Sequence, residues 1–204
     1  NGARGDQEDG QQHVGSPATQ GRHWHFFAQL VELDLEAADP ASGPLIGSRE
    51  VPGATLVNDT WAGHDPELVE IAGRHRVGYV CSHTGGAVPR TRPFRVHYDD
   101  VVADVIAETS ALAERAVACG VPEDMILVDP THDFGKNTRH GLELLRRLDE
   151  LVGAGWPVLM ALSNKDFVGE TVGRDVDGRV PGTLAATAWA AEHGVAMFRV
   201  HEVA

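Results

Sequence analysis

Short apolar segments that each end in polar residues recur along this chain and limit what it can fold into. The five segments are 54–57 before Asn58, 78–81 before His83, 126–128 before Asp129, 157–162 before Ser163 and Lys165, and 195–198 before Arg199 and His201. Stretches with helical periodicity separate them. This alternation is typical of repeated βα units, in which functional side chains follow the carboxyl ends of parallel strands.

The number of units indicates a partial barrel. A closed (β/α)8 barrel takes about 250 residues and each βα unit roughly 30, so residues 1–53 cannot supply three further units. We expect a partial (β/α)8 TIM-type barrel with about five units and no last helix. The expected strands lie near 54–58, 77–82, 125–129, 157–162 and 195–200, the expected helices near 66–75, 98–119, 140–152 and 183–193, and an expected loop at 163–182. An open doubly wound sheet is the alternative, although no G-x-G-x-x-G loop follows any expected strand.

The first 53 residues differ from the rest. Residues 1–23 are rich in Gly, Gln, Asp and His, which predicts a disordered tail, and the prolines and glycines of 37–53 predict a loop. Residues 24–36 fit either one face of a helix or an alternating strand. We therefore expect a poorly structured segment at 1–53 and one domain at 54–204.

Composition excludes several classes of partner. A net charge of −13 argues against nucleic acid and anionic membranes, which need clustered Lys and Arg. The apolar runs are far shorter than the roughly 20 residues that cross a bilayer. The two cysteines, Cys81 and Cys119, form no metal-binding or C-x-x-C spacing, which indicates a reduced, cytoplasmic setting.

Five motifs occur in a fixed order, which makes them more specific together than any one alone. They are LVNDTWAG (56–63), ILVDPTHDFGKN (126–137), VLMALSNKDFVGE (158–170), GTLA (182–185) and FRVHEV (198–203). They resemble the IND, DPGxGFGK, SRKxFxG, GTxA and RVHDV motifs of the dihydropteroate synthases, over residues 54–204. The resemblance implies a (β/α)8 barrel that transfers a dihydropterin-methyl group from its pyrophosphate to p-aminobenzoate in folate biosynthesis.

The same resemblance implies roles for individual residues. Asp129 and Lys165 are the expected catalytic residues, Asp129 pairing with the aminopyrimidine edge of the pterin and Lys165 bonding its ring. The expected substrate-binding residues are Asn58, Ser163, Arg199 and His201. A carboxylate can accept two hydrogen bonds from an aminopyrimidine, and cations stabilise a departing pyrophosphate. Structural alternatives stay open, since Asp129 could begin a turn and Ser163 could cap a helix.

Departures from the family pattern reduce the expected activity. Thr131 and Asp133 stand where the family motif has glycines, and Asn164 stands where it has arginine. The family's N-terminal phosphate-loop Asn and two pterin-contacting Asp residues have no match in 1–53, and Mg²⁺ binding with the pyrophosphate would involve that part. The pattern looks more like a divergent second-copy branch of the family.

Two functions therefore remain open. One is a dihydropteroate synthase-like protein with weak or no catalysis; the alternative is an inactive relative that binds a pterin-like or sulfa-like ligand without turnover. The expected partners are pterin and p-aminobenzoate-like ligands, together with a second copy in a possible homodimer.

Histidines suggest a third function, a metal-dependent hydrolase. The candidates are His64, His83, His132, His140 and His201. No H-E-x-x-H motif occurs, however, and the resemblance explains His83 and His201 without a metal. We expect no protein-bound catalytic metal.

Overall fold

The strands of the protein are parallel and follow one another in chain order. The computed structural model describes residues 30–32, 55–87 and 97–201. Its strands are β1 (Leu30–Glu32), β2 (Leu56–Asp59), β3 (Gly78–Ser82), β4 (Ile126–Asp129), β5 (Leu159–Met160) and β6 (Met197–Phe198). β1 to β4 form one sheet and β5 pairs with β6, while a parallel bridge between Val128 and Val158 joins the two groups. A doubly wound sheet reverses its strand order, and no reversal occurs among the described strands. The order is that of a barrel, which does not close within the described ranges.

Helices connect these strands on the outside of the sheet. They are α1 (Pro66–His75), α2 (Val101–Ala118), α3 (Thr138–Arg146), α4 (Leu148–Gly153), α5 (Asp166–Val172) and α6 (Val180–Glu192). Two aspartates fix helix starts by accepting backbone N–H groups: Asp65 accepts from Glu67, and Asp100 accepts from Val102 and Ala103. In the three described ranges, no helix is long and apolar enough to cross a membrane.

Strand residues alternate between two apolar layers. One small cluster consists of Leu56, Val80, Leu127 and Leu159, with Met197 packed against it. The intervening residues, such as Tyr79, Ile126 and Val128, belong to the larger cluster between sheet and helices. Because both faces of the central strands are buried, their sequences are continuously apolar, which is why they are visible in the sequence.

The expected parallel βα units are confirmed, with three differences in detail. The strands expected at 157–162 and 195–200 contain only two strand residues each. The helix expected at 140–152 is two helices, because the chain turns at Arg147, whose guanidinium donates to both carboxylate oxygens of Asp100 at 2.9 and 3.0 Å. The prediction that 163–182 is a loop is wrong, since this segment contains α5. The α5 residues Phe167 and Val168 are buried in the core.

The N-terminal segment is described only in part. Leu30–Glu32 pairs in parallel with β2, so the strand alternative for 24–36 holds for these three residues. The tail at 1–23 and the loop at 37–53 lie outside the described ranges. The division into 1–53 and 54–204 therefore stays a prediction.

Candidate functional site

Three of the expected site residues continue the inner layer of the sheet. Asn58 lies two positions after Leu56, and Asp129 two positions after Leu127, so their side chains share the face of that inner cluster. Arg199 has the same relation to Met197, and its amide donates to the carbonyl of Met160 at 3.0 Å. We call the carboxyl ends of these strands, with the loops that follow, the mouth.

Asp129 is the buried acid of the mouth. Only 5% of the residue is exposed, and burial raises the pKa of its carboxyl to about 6. The amide of Thr131 donates to it at 2.7 Å, and the positive charges of Lys165, Lys136 and Arg199 oppose the rise. The structure therefore brings Asp129, Lys165 and Arg199 together, while the roles expected for them stay predictions.

The loop after Asp129 is strained. Thr131 has φ +48°, a left-handed conformation that is an outlier for a β-branched residue. Its hydroxyl also donates to the carbonyl of Asp129 at 3.1 Å, which helps to hold this conformation. Backbone strain that the surrounding structure maintains is concentrated at functional sites. The strain thus falls at the position where the family motif has glycine.

Lys165 is already paired with an acid of the protein. Its ammonium nitrogen lies 3.1 Å from a carboxylate oxygen of Asp133, and 16% of the Lys165 side chain and 31% of the Asp133 side chain are exposed. Lys165 immediately precedes α5 and has an extended backbone conformation. The lysine expected to bond a ligand is thus held by the carboxylate that replaces a family glycine.

Lys136 is a residue of the mouth that was not among the expected site residues. Its ammonium donates to the carbonyls of His83, Thr131 and Phe134 at 3.1, 3.2 and 3.1 Å. Burial lowers its pKa to about 7, although nearby carboxylates, Asp129 first among them, favour its charged form. It ties the loop after β3 to the loop after β4. Because the partners of Lys136 are backbone carbonyls, no residue type elsewhere in the sequence indicates its role. Its position in the DFGK motif is the one signal that could have identified it.

The remaining expected residues occupy the edge of the mouth. Asn58 is buried, and its Oδ1 has no hydrogen-bond partner in the part of the chain that the structure describes. The Ser163 hydroxyl accepts the backbone N–H of His201 at 3.3 Å, which joins the ends of the last two strands. His201 itself is exposed. Asn58 therefore has a buried acceptor that no described group uses, and Ser163 links two loops, while the binding roles expected for both stay predictions.

The five candidate histidines do not form a zinc site together. His132 is 2% exposed and stacks on Phe167 at 4.9 Å, and burial lowers its pKa to about 3. His140 completes the capping box of α3 with Asn137. Among the described residues, only His83 lies in a group of three metal-type donors, and the other two are carboxylates.

Comparison with known proteins identifies the family. A family model described as "Pterin binding enzyme" matches residues 47–201, and the chain belongs to this family, as its motifs indicated. "Inactive dihydropteroate synthase 2" of Mycobacterium leprae (strain TN) is 66% identical over 155 residues, which cover 74% of this chain and 53% of that relative. The resemblance to a second-copy branch is therefore confirmed.

Solved structures show the same fold. The structure of Mycobacterium tuberculosis Rv1207 matches with a TM-score of 0.57 and 52% identity, over 74% of this chain and 55% of that one. Dihydropteroate synthase from Xanthomonas albilineans in complex with 7,8-dihydropteroate matches with a TM-score of 0.66 and 36% identity, over 74% and 55%. The chain spans about half the length of these relatives.

Proposed function

We propose that the mouth binds a pterin-like ligand and that the chain does not turn it over. The ion pair between Asp133 and Lys165 carries this proposal, because it neutralises the cation that would otherwise meet the ligand. Asp129 keeps a buried carboxylate that can accept the two parallel N–H groups of an aminopyrimidine. Relatives named as inactive synthases support the absence of turnover.

Charge explains why binding and catalysis separate in this mouth. A dihydropterin is uncharged, whereas its pyrophosphate carries several negative charges that must approach the mouth. The Asp133 carboxylate repels that group and also competes for Lys165. Stabilising a departing pyrophosphate needs positive groups already in place, and losing one such group can cost about 2.7–4 kcal/mol.

Mg²⁺, which the family uses with its pyrophosphate substrate, does not fit the described mouth. Lys136, Lys165 and Arg199 all act on Asp129, and this density of positive charge opposes a further cation beside that carboxylate. We therefore assign no step to Mg²⁺. Synthesis of dihydropteroate remains the second candidate function, because Asp129, Lys165 and Arg199 still converge.

Ligand binding by the 204-residue chain tests the proposal. Calorimetric titration with 6-hydroxymethyl-dihydropterin should show binding, and Asp129→Asn should weaken it at least about tenfold, because a hydrogen bond to a charged group is worth about 1.5–3 kcal/mol. A pyrophosphate-release assay with dihydropterin pyrophosphate and p-aminobenzoate should show no turnover. No binding of the dihydropterin, or turnover near 10 s⁻¹ as in an ordinary enzyme, would contradict the proposal.

Substitutions of Asp133 separate charge from bulk. Asp133→Asn keeps the size and removes the charge, and we expect about tenfold tighter binding of the pyrophosphate form, with little change for the uncharged dihydropterin. Asp133→Gly removes both charge and bulk. Asp175→Asn, at an exposed position outside the mouth, changes the net charge equally and should leave both affinities unchanged.

A further inference from the structure

A buried histidine faces two carboxylates beside the mouth. His83 is 0% exposed, and its Nε2 lies 2.9 Å from Oδ2 of Asp104 and 3.3 Å from Oε2 of Glu108. The side chains of Asp104 and Glu108 are 42% and 47% exposed. One face of this group, which we call the His83 cluster, is therefore fixed in the core, and the other is open to solvent.

The fold builds the cluster from two consecutive elements. His83 directly follows β3, and its amide donates to the carbonyl of Asp129 at 3.0 Å, which fixes the backbone. Asp104 and Glu108 lie four residues apart on α2, so they occupy the same face of the helix. Two like charges at this spacing destabilise an isolated helix. The arrangement thus concentrates negative charge next to an imidazole nitrogen.

Basic side chains do not neutralise this charge directly. Among the described residues, no Lys or Arg forms an ion pair with Asp104 or Glu108, and His83 is the partner of both. Lys136 is close, but its ammonium donates to three backbone carbonyls, including that of His83. The two carboxylates therefore have free coordination capacity toward a cation from solvent.

We propose that His83, Asp104 and Glu108 bind a divalent transition metal ion, of which Zn²⁺ and Mn²⁺ are the best candidates. Nitrogen and oxygen ligands hold such ions at about 2.0–2.2 Å, so two ligands at 90–110° lie about 2.8–3.6 Å apart. The distances from Nε2, 2.9 and 3.3 Å, match that spacing. All three donor atoms lie within 4.8 Å of one another, and the half-exposed carboxylates can rotate to close the remaining gap.

The donor set limits the identity of the ion. Imidazole favours Zn²⁺ and other transition metals over Mg²⁺ and Ca²⁺, while the carboxylates suit Mn²⁺ as well. Two features weaken the site: the Lys136 charge opposes a second cation, and His83 Nδ1 has no hydrogen-bond partner among the described residues. We therefore expect dissociation constants on the order of micromolar. A bound ion would fix the loop after β3, which Lys136 ties to the mouth.

Calorimetric titration of the chelator-treated 204-residue chain with Mn²⁺ and then Zn²⁺ tests this proposal. We expect one ion per chain, and a thermal midpoint, followed by circular dichroism, that rises with the ion. Asp104→Asn/Glu108→Gln should weaken binding at least about 30-fold, which is about 2 kcal/mol. The control variant Glu114→Gln/Asp124→Asn removes two exposed carboxylates outside the cluster and changes the net charge by the same amount. This control should bind the ion as tightly as the unsubstituted chain.

Three results would overturn the proposal. The first is no binding at millimolar ion by the unsubstituted chain, which would leave His83 as a hydrogen-bond donor to Asp104. The second is an equal loss in the two double variants, which would show non-specific attraction to a chain of charge −13. The third is loss of binding in His23→Ala/His25→Ala, which would assign the ion to the N-terminal segment. If the double variant at the cluster is unfolded by circular dichroism, Glu108→Gln alone must show at least a fivefold loss.

Discussion

The first three βα units and the last two are packed very differently. In the first part, β2 to β4 pair over four residues at each interface, and all five residues of β3 are buried. In the last part, β5 and β6 pair over two residues, and α6 exposes 64% of Leu184 and 50% of Trp189. These two side chains form an apolar surface on α6 that the described part of the chain leaves uncovered. The expected homodimer stays a prediction that this surface allows to be tested.

The candidate site depends on both parts. Asn58 and Asp129 come from the well-packed strands, whereas Lys165, Ser163 and Arg199 follow the two short ones. The acid of the mouth and Lys136 are therefore held by the well-packed part, while Lys165 and Arg199 depend on the less extensively paired strands. Substitutions in the two parts should consequently separate stability from ligand binding.

The largest contrast is expected between two leucines. Leu127→Ala should lower the free energy of unfolding by about 2–5 kcal/mol, because Leu127 is 1% exposed in the inner layer and its removal leaves a cavity. The same substitution at Leu184, which is 64% exposed, should change it by less than about 0.5 kcal/mol. Urea unfolding measures both. Equal losses would show that α6 is buried against another part of the assembly.

Substitution of Asp59 should cause the second largest loss of stability. Its carboxylate accepts the amides of Trp61 and Gly63 at 3.2 and 2.6 Å and the hydroxyl of Tyr79 at 2.7 Å. Asp59→Ala leaves these buried donors without an acceptor, and we expect a loss of about 2–3 kcal/mol in urea unfolding.

The effect of Asp59 on stability should depend on pH. Burial raises its pKa above the ordinary 3.8 despite the three hydrogen bonds. The stability that this shift contributes is full below pH 3.8 and is lost as the pH rises through the raised value. The difference in unfolding free energy between the unsubstituted chain and Asp59→Asn should therefore shrink as the pH rises. A difference that does not vary with pH would contradict this account.

The amino-acid sequence predicts the well-packed part, which contains β2 to β4, better than the part that contains β5 and β6. The strands near 54–58, 77–82 and 125–129 are visible because burial on both faces makes them continuously apolar. The helix α5 was missed because it is short and no side chain caps its first turn. The motifs locate Asp129, Lys165 and Arg199, but not the His83 cluster, since Asp104 lies 21 residues from His83 on another element.

A glycine pair tests how tightly the last two units are packed. Ala usually stabilises a helix relative to Gly, but a Cβ at Gly169 in α5 would collide with Arg179 Nε and would lie 2.9 Å from the Arg174 carbonyl oxygen. Arg179 cannot yield easily, because it donates to the Asn164 carbonyl and to Asp166 at 2.7 and 2.8 Å. We expect Gly169→Ala to lower stability by about 1–3 kcal/mol.

Gly153→Ala in α4 is the matched control for this substitution. A Cβ there meets no atom within 4 Å, so the substitution should be neutral or stabilise by up to about 1 kcal/mol. Thermal unfolding of both variants gives the comparison. A stabilising Gly169→Ala would mean that the segment between α5 and α6 is loosely packed, as the short strands suggest.

The smallest effect is expected for the ion pair that joins α2 to the turn between α3 and α4. Arg147 holds the pKa of Asp100 at about 2 by hydrogen bonding, so the contribution of this pair is present above pH 3.8 and is lost as the pH falls toward 2. Asp100→Asn can still cap α2 by accepting from Val102 and Ala103, so it removes the charge and keeps the cap. We expect the midpoint of acid unfolding to rise by roughly a few tenths of a pH unit, because exposed pairs contribute little. Asp149→Asn, at an exposed residue of α4, should shift it less, and an equal shift would assign the effect to net charge.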